Sequence, residues 1–180
     1  LASYLNFNIK KLPIDYIAFD AINGIDSKNV YVPYVNINNY LFQNFGEFEY
    51  QHHSTILIEK LLNIKGGSEK KMYVNVSKTT LDITIIKNNK LLLFNTFSYG
   101  TEEDFIYYIL FVVEQLNLDV NEFPLYFTGK ISSNNTIYKI TYKYIKNRKQ
   151  RNNNHPIIRF IKWMFMIIRP IKSPRNTHCC

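Results

Sequence analysis

Apolar and polar side chains alternate in the middle of the chain, between residues 72 and 86. A period of two residues is typical of β-strands that bury one face. The apolar positions of two successive segments are Met72, Val74, Val76, Leu81, Ile83 and Ile85. Asn88 and Asn89 follow, and asparagine tolerates the positive φ angles of a type I′ hairpin turn. We therefore predict three consecutive antiparallel strands, the last of them within "LLLFNTFSY" (residues 91 to 99).

Helical spacing replaces this alternation after Gly100. "GTEEDFIYYILFVVEQLNL" places Thr101 and Asp104 as a capping box, and its acidic first turn suits the positive end of the helix dipole. "PLYFTG" (residues 124 to 129) predicts a short buried strand, and "NTIYKITYKYIK" predicts an amphipathic helix. The inward positions of that helix are predicted to be Ile137, Ile140, Tyr144 and Ile145. The predicted order from residue 72 is β-β-β-α-β-α.

The segment before residue 69 has a mixed α/β pattern. "NVYVPYV" and "EFEYQ" have the makeup of strands, "NINNYLFQNFG" predicts a helix that ends at Gly46, and "HSTILIEKLLNIKGG" predicts another helix. His52 and His53 stand where this second helix starts. They suggest a metal site only weakly, because no third ligand follows at useful spacing, so a helix-start or surface role is favoured.

Charge is distributed unevenly along the 180 residues. Residues 1 to 147 hold 14 basic and 14 acidic side chains, whereas residues 148 to 180 hold 8 basic side chains and no acidic one. The net charge of +8 therefore belongs to the tail, and the neutral body gives no support to nucleic-acid binding. The chain opens on Leu1 without a methionine or a secretory signal, which predicts a fragment of a cytoplasmic protein.

The predicted order resembles the opening of a ribonuclease H-like half-domain, the building block of the actin, hexokinase and heat-shock ATPase superfamily. In that superfamily an Asp-x-Gly turn followed by threonine approaches nucleotide phosphates and, through a carboxylate, Mg²⁺. Here Asn75 stands at the position of the aspartate and Ser77 at that of the glycine, so the resemblance implies an eroded nucleotide site. Its implied members are Asn75, Ser77, Thr79, Thr80 and Asp82, with Gly129 in place of the glycine-rich adenosine loop.

A closer resemblance covers residues 1 to 147. "NVYVPYVNINNYLF", "LDITIIKNNKLLLFNTFSYGTEEDFIYYILFVVEQLNLD" and "LYFTGKI" resemble the bacteroidete family known as domain of unknown function 3822. Members of that family are longer at the N-terminus and resemble pilus-assembly and cell-division actin-like proteins in fold. The resemblance implies an actin-like fold and no established activity.

The tail, residues 148 to 180, departs from that family and has three interpretations. Its apolar stretch, residues 157 to 168, is too short and too basic to span a membrane but fits an interfacial helix. The terminal Cys179-Cys180 pair resembles a prenylated end. The tail loses every acidic residue at the point where the resemblance stops, which favours a frameshifted or misassembled end over an interfacial helix, lipidation or nucleic-acid binding.

Three acidic residues have structural explanations that compete with a catalytic or nucleotide-binding role. Asp104 and Glu103 are better explained by helix capping than by acid–base catalysis. For Asp82, the structural alternative to a nucleotide site is a hydrogen bond to Thr79, Thr80 or Thr84.

These observations predict three regions: a remnant of an N-terminal α/β lobe (1–69), a ribonuclease H-like actin-type subdomain (70–147) and the basic tail (148–180). The leading hypothesis is a non-catalytic cytoplasmic scaffold that binds an unknown protein partner, with neither cofactor nor metal. One alternative is an ATP-binding actin-like ATPase, with residual ATP and Mg²⁺ binding, whose active lobe is partly missing. The other is attachment to a membrane surface through the tail.

Overall fold

The computed structural model describes residues 7, 12, 14–64, 69–132, 134–145, 148–150 and 169–170. The chain divides into two compact units, residues 1–57 with 164–180 and residues 58–163. The boundaries predicted after residues 69 and 147 stay predictions. The stretch proposed as an interfacial helix, residues 157 to 168, and the two terminal cysteines lie outside the described residues.

The first unit starts with a hairpin, of which the sequence predicted the second strand, within residues 29 to 35, but not the first. Strands β1 (Ala18–Ala21) and β2 (Lys28–Tyr31) pair antiparallel, and their four-residue length is too short for a period to stand out. Helix α1 (Val35–Phe45) follows and ends at Gly46, whose N–H donates to the Phe42 carbonyl. The helix end predicted at Gly46 is therefore confirmed. Strand β3 (Phe48–Glu49) pairs antiparallel with β9 (Arg169–Pro170).

Helix α2 (His53–Leu62) starts in the first unit and ends in the second. His52 precedes it, and the Nδ1 atom of His52 accepts a hydrogen bond from the Ser54 N–H at 3.2 Å. The helix-start role predicted for the histidine pair is therefore confirmed. Among the described residues, no group of three His, Cys, Asp or Glu side chains is placed to hold a metal ion.

The second unit is built on a mixed sheet of five strands. Strands β4 (Lys71–Val76), β5 (Thr80–Lys87) and β6 (Lys90–Ser98) are antiparallel neighbours. The turn between β5 and β6 has φ angles of 51° at Asn88 and 58° at Asn89, which confirms the predicted type I′ turn. Strand β7 (Leu125–Gly129) pairs parallel with β4, and β8 (Arg148–Gln150) pairs parallel with β7. The spatial order of the strands is therefore β6-β5-β4-β7-β8.

Helix α3 (Glu102–Gln115) joins β6 to β7, because a parallel strand pair needs a long crossover. Thr101 and Asp104 form the predicted capping box. Hydrogen bonds from the N–H groups of Gly100 and Thr101 lower the pKa of the Asp104 carboxyl. The core lies between this helix and one face of the sheet and includes Met72, Val74, Leu81, Ile83, Phe105, Ile109 and Phe127.

Helix α4 (Thr136–Tyr144) contacts α3 and departs from its predicted orientation at one position. Ile145 is fully buried as predicted, but Tyr144 is exposed, so the prediction of an inward Tyr144 is wrong. Thr141 is buried instead, and its hydroxyl donates to the Ile137 carbonyl at 2.8 Å. A short side chain that bonds its own helix can enter the core, whereas a tyrosine there would need a partner for its hydroxyl group.

Candidate functional site

Four polar residues form a row across the sheet of the second unit. They lie directly opposite one another on β7, β4, β5 and β6, in the order Thr128, Asn75, Asp82, Thr96. Directly opposite residues have their Cβ atoms about 5 Å apart, which is close enough for short polar side chains to bond. Strand order alone therefore brings together residues that are up to 53 positions apart in sequence. We call this set the polar row.

Hydrogen bonds run through the polar row without a break. Thr128 Oγ1 donates to Asn75 Oδ1 at 3.2 Å, and Asn75 Nδ2 donates to Asp82 Oδ2 at 2.9 Å. Thr96 Oγ1 donates to Asp82 Oδ1 at 2.8 Å. Both carboxylate oxygens of Asp82 thus have partners, and its side chain is only 4% exposed.

The partners predicted for Asp82 were the wrong ones. Thr79, Thr80 and Thr84 were expected, but Asn75 and Thr96 bond the carboxylate. The reason is geometric: Thr84 is two residues along the same strand, about 7 Å away, whereas cross-strand neighbours are closer. The hydroxyl group of Thr84 is fully buried and has no hydrogen-bond partner within the described residues.

The tip of the β4–β5 hairpin holds the remaining predicted residues of this region. Ser77 and Thr79 are exposed, and the Ser77 N–H donates to the Thr80 carbonyl at 2.9 Å. Tyr99, just after β6, fastens the tip from the side: its hydroxyl donates to the Ser77 carbonyl at 2.8 Å, and its N–H donates to the Thr79 carbonyl at 3.0 Å. The tip is therefore tied to the end of β6, and its short side chains face outward.

Gly129 ends β7 where this strand lies against β4. Its φ is +83°, and a Cβ atom there would overlap the Val76 carbonyl oxygen and lie 2.8 Å from Asn75 Oδ1. The neighbouring Lys130 N–H donates to the Val76 carbonyl at 2.7 Å. Glycine at this position is explained by the close approach of the two strands. A role in adenosine binding stays a prediction.

The residues of the polar row do not fit the metal site that the superfamily pattern implies. Position 75 carries an amide, whose oxygen and nitrogen are both hydrogen-bonded. The carboxylate of Asp82 is buried, and each of its oxygens accepts a hydrogen bond from a neutral donor. A hard cation such as Mg²⁺ needs free oxygen ligands, preferably charged ones. Ser77, Thr79 and Thr80 supply only neutral hydroxyl groups at the hairpin tip.

A second polar cluster lies in the first unit and was missed at the level of sequence. The buried Asp20 of β1 accepts hydrogen bonds from the Tyr31 hydroxyl at 2.9 Å, the His52 N–H at 2.7 Å and the Thr55 hydroxyl at 2.7 Å. Asn29 Nδ2 donates to Thr55 Oγ1 at 3.0 Å. Burial, followed by the bond to Asp20, raises the pKa of Tyr31 far above its ordinary value.

This cluster fastens the β1–β2 hairpin to the start of α2. Asp20 accepts from the N–H of the residue before the helix and from a hydroxyl of its first turn, so it acts as a cap contributed by another element. The sequence offered one signal, the acidic residue within the apolar context "IAFDAI", but its partners are 11 to 35 positions away. Those distances hide the cluster from a local pattern.

An apolar surface on α1 was also missed. Helix α1 contains no charged residue, and none of its residues is buried. Its large exposed side chains, with Tyr34 just before it, are Tyr34, Val35, Ile37, Tyr40, Phe42 and Phe45. A groove of about 610 Å³ runs along it, lined by Tyr16, Pro33, Val35, Asn38, Phe42, Phe48 and Tyr50 among others. We call this helix surface and groove the α1 surface; the signal in the sequence was the charge-free run "VNINNYLFQNF".

The α1 surface contains one buried polar atom without a partner. Asn38 Oδ1 has no hydrogen-bond partner within the part of the chain that the structure describes. Nearby, burial raises the pKa of the Tyr50 phenol. Within the described residues, no helix has the length and apolar character required to cross a membrane.

Comparison with known proteins supports the family and the fold. The family model described as "Protein of unknown function (DUF3822)" matches residues 1–147. No curated protein matches the chain. A crystal structure from Bacteroides thetaiotaomicron, of a protein with an actin-like ATPase fold and unknown function, aligns with a TM-score of 0.78 and 25% identity. The alignment covers 89% of this chain and 63% of that one, so this chain spans less than two thirds of its structural neighbour.

A foamy viral protease-reverse transcriptase in complex with double-stranded DNA aligns with a TM-score of 0.32 and 12% identity, over 73% of this chain and 28% of the viral one. A likeness this low bears on neither fold nor function. The match to the Bacteroides thetaiotaomicron structure does bear on the fold. The protein has an α/β fold with a mixed sheet that closely matches an actin-like ATPase fold.

Proposed function

This chain belongs to the DUF3822 family, and we propose that it is a non-catalytic actin-like domain that serves in the cytoplasm as a scaffold and binds a protein partner. The polar row carries the proposal. An actin-like ATPase needs a free carboxylate next to the nucleotide phosphates, and this hairpin bonds its one buried carboxylate to an amide and a hydroxyl group. The row stabilises the sheet, and the hairpin tip adds no carboxylate: its side chains are the hydroxyl groups of Ser77 and Thr79 and the ammonium group of Lys78.

The order of elements supports descent from a ribonuclease H-like half-domain. From Lys71 the chain runs strand, strand, strand, helix, strand, helix, and β7 joins the sheet next to β4. If the domain descends from such a half-domain, the turn between β4 and β5 corresponds to the phosphate-binding turn of the superfamily. Asn75 and Ser77 mark where the aspartate and glycine of that turn have been replaced. A nucleotide site degenerated at Asn75, Ser77, Thr79, Thr80, Asp82 and Gly129 follows from this ancestry.

The α1 surface supports the partner-binding part of the proposal. Tyr34 and Phe45 are 72% and 70% exposed, at opposite ends of a helix that has no charge. Contiguous exposed apolar surface on a folded domain is typical of a protein–protein interface, and tyrosine and phenylalanine are enriched in such interfaces. The unpartnered Asn38 oxygen offers a hydrogen-bond acceptor within this surface.

Calorimetric titration of the chain with Mg-ATP tests the non-catalytic part. We expect no saturable binding up to about 1 mM nucleotide, which corresponds to a binding free energy weaker than about 4 kcal/mol. Binding in the micromolar range that is lost in Ser77→Asp would overturn the proposal and favour the ATP-binding alternative. Ser77 is exposed, so circular dichroism should show an unchanged fold, and Asn36→Asp, at an exposed position on α1, serves as the control remote from the hairpin.

A photoreactive amino acid at position 45 tests the partner-binding part in cells. We expect a discrete protein adduct from position 45 and none from position 142, an exposed tyrosine on α4 of the second unit. Tyr40→Ser should reduce the adduct without lowering the melting temperature, since Tyr40 is exposed. The same adduct pattern from both positions, or no adduct from position 45, would contradict a partner site on α1.

A further inference from the structure

Strand β6 is a long edge strand with few of the features that protect sheet edges. It has nine residues and pairs only with β5 in the described part of the chain. It contains no proline and a single charged residue, Lys90, at its first position. Soluble proteins usually shorten such edges, charge them or interrupt them, because free N–H and C=O groups recruit another strand. One irregularity, where Leu92 is skipped in the pairing with β5, leaves residues 93–98 regular.

Aromatic side chains continue this edge onto α3. The Tyr108 ring stacks on Phe97 of β6 with centroids 4.6 Å apart. Tyr107 lies beside Tyr108 at 5.4 Å, and its ring stacks with that of Phe111 at 6.2 Å. Tyr107 is 61% exposed and Phe111 39% exposed. The free edge is therefore bordered by apolar surface that a second sheet with its own helix would cover.

Opposite charges stand at the two ends of β6. Lys87 and Lys90 flank the turn where the strand begins, and Glu102 and Glu103 occupy the first turn of α3, just after the strand ends. The strand between them is about 30 Å long. None of these four side chains forms an ion pair in the portion that the structure describes. A parallel partner strand of the same sequence would place like charges together, and an antiparallel one brings each lysine pair next to the glutamates.

We propose that two copies of this chain associate through β6, antiparallel about a two-fold axis at Asn95, into one continuous ten-stranded sheet. This register places Leu93 of one copy opposite Phe97 of the other on the face that α3 covers. Lys90 of one copy then lies opposite Gly100 of the second, next to the acidic first turn of α3. The interface is isologous, as expected for a closed dimer. The helices of both copies lie on one side of the sheet, where Tyr107 and Phe111 are exposed.

Sedimentation velocity of the full chain over a concentration series tests this dimer. We expect a dimer whose dissociation constant rises about tenfold or more in Asn95→Lys, because two lysines then meet at the two-fold axis. Asn36→Lys, which changes an exposed residue of α1, should leave the dimer intact and separates β6 pairing from association through the α1 surface. A monomer at every concentration, or a dimer weakened by Asn36→Lys and not by Asn95→Lys, would overturn the proposal.

Charge exchange provides the specific signature. Lys90→Glu should weaken the dimer, and the double variant Lys90→Glu/Glu103→Lys should restore it, because the pair is re-formed with its signs exchanged. Both positions are exposed, so neither change should lower the melting temperature. Failure of the second substitution to rescue the first would exclude this antiparallel register. The outcome is independent of nucleotide binding and of the partner site on α1.

Discussion

Asn75 and Asp82 lie directly opposite each other on antiparallel strands and share a hydrogen bond of 2.9 Å from amide nitrogen to carboxylate oxygen. An aspartate at position 75, as in the actin-like pattern, would place two carboxylates at this distance in a buried site. Like charges so close cannot both ionise without a large cost. The amide at position 75 therefore lets the buried carboxylate of Asp82 accept a hydrogen bond, where an aspartate would repel it.

Asn75→Asp should destabilise the fold in a pH-dependent way. Repulsion raises the folded-state pKa of the carboxyl pair above the unfolded value of about 4, so the variant binds more protons when folded. Its stability should therefore fall as pH rises through that window, to a deficit of about 3 kcal/mol at pH 7. Urea unfolding at pH 4 and pH 7 measures this, with the exposed Asn36→Asp as control. Equal stability of wild type and variant at pH 7 would refute the buried pairing.

Gly129→Ala should cost more than Gly24→Ala. Both glycines have positive φ, +83° and +94°, so both variants carry the same backbone strain of about 1 kcal/mol. A Cβ atom meets open space at Gly24 but overlaps the Val76 carbonyl at Gly129, which should add about 2 kcal/mol. Thermal unfolding of the two variants compares these costs. Equal losses would show that β7 can move away from β4 without penalty.

Thr84→Val should stabilise the protein by about 1 kcal/mol. The Thr84 hydroxyl group is buried and has no hydrogen-bond partner among the described residues. Replacing it with a methyl group therefore removes a desolvation cost that no hydrogen bond offsets. Thr96→Val is the contrasting change, because it removes a donor from Asp82 and should destabilise by about 1 to 2 kcal/mol. Urea midpoints of the two variants should move in opposite directions; a shift of both in the same direction would contradict this assignment.

Tyr31→Phe should change the alkaline limb of the stability profile. Burial and the bond to Asp20 raise the pKa of Tyr31 in the fold, while the unfolded phenol ionises near pH 10. The stabilisation is thus complete below about pH 10 and is lost as pH rises through the folded-state pKa. Without the phenol, the free energy of unfolding should decrease less steeply with pH above about pH 10. At pH 7 the variant should be less stable by about 1 to 2 kcal/mol, because a hydrogen bond is lost.

Urea unfolding at pH 7 and at pH 10.5 measures both effects of Tyr31→Phe. Tyr34→Phe is the matched control, since Tyr34 is 72% exposed and should change neither value. An unchanged alkaline slope in Tyr31→Phe would mean that this phenol does not remain neutral in the fold.

Local features of this protein could be predicted from its sequence. The Asn88-Asn89 turn, the Thr101–Asp104 capping box and the helix end at Gly46 all depend on residues a few positions apart. The three antiparallel strands from residue 71 and the helix after them follow from periodicity in the same way. Such features are set by backbone preferences and by which face of each element is apolar.

Tertiary structure alone decided what the polar residues do. The partners of Asp82 depend on which strands become neighbours, and Asp20 meets Thr55, 35 positions away, only when the hairpin packs on α2. Burial of Thr141 in place of Tyr144, and exposure of the apolar residues of α1, likewise depend on which surfaces find a neighbour. A sequence determines which side chains prefer to be buried or bonded, but only the packed chain determines which partners they reach.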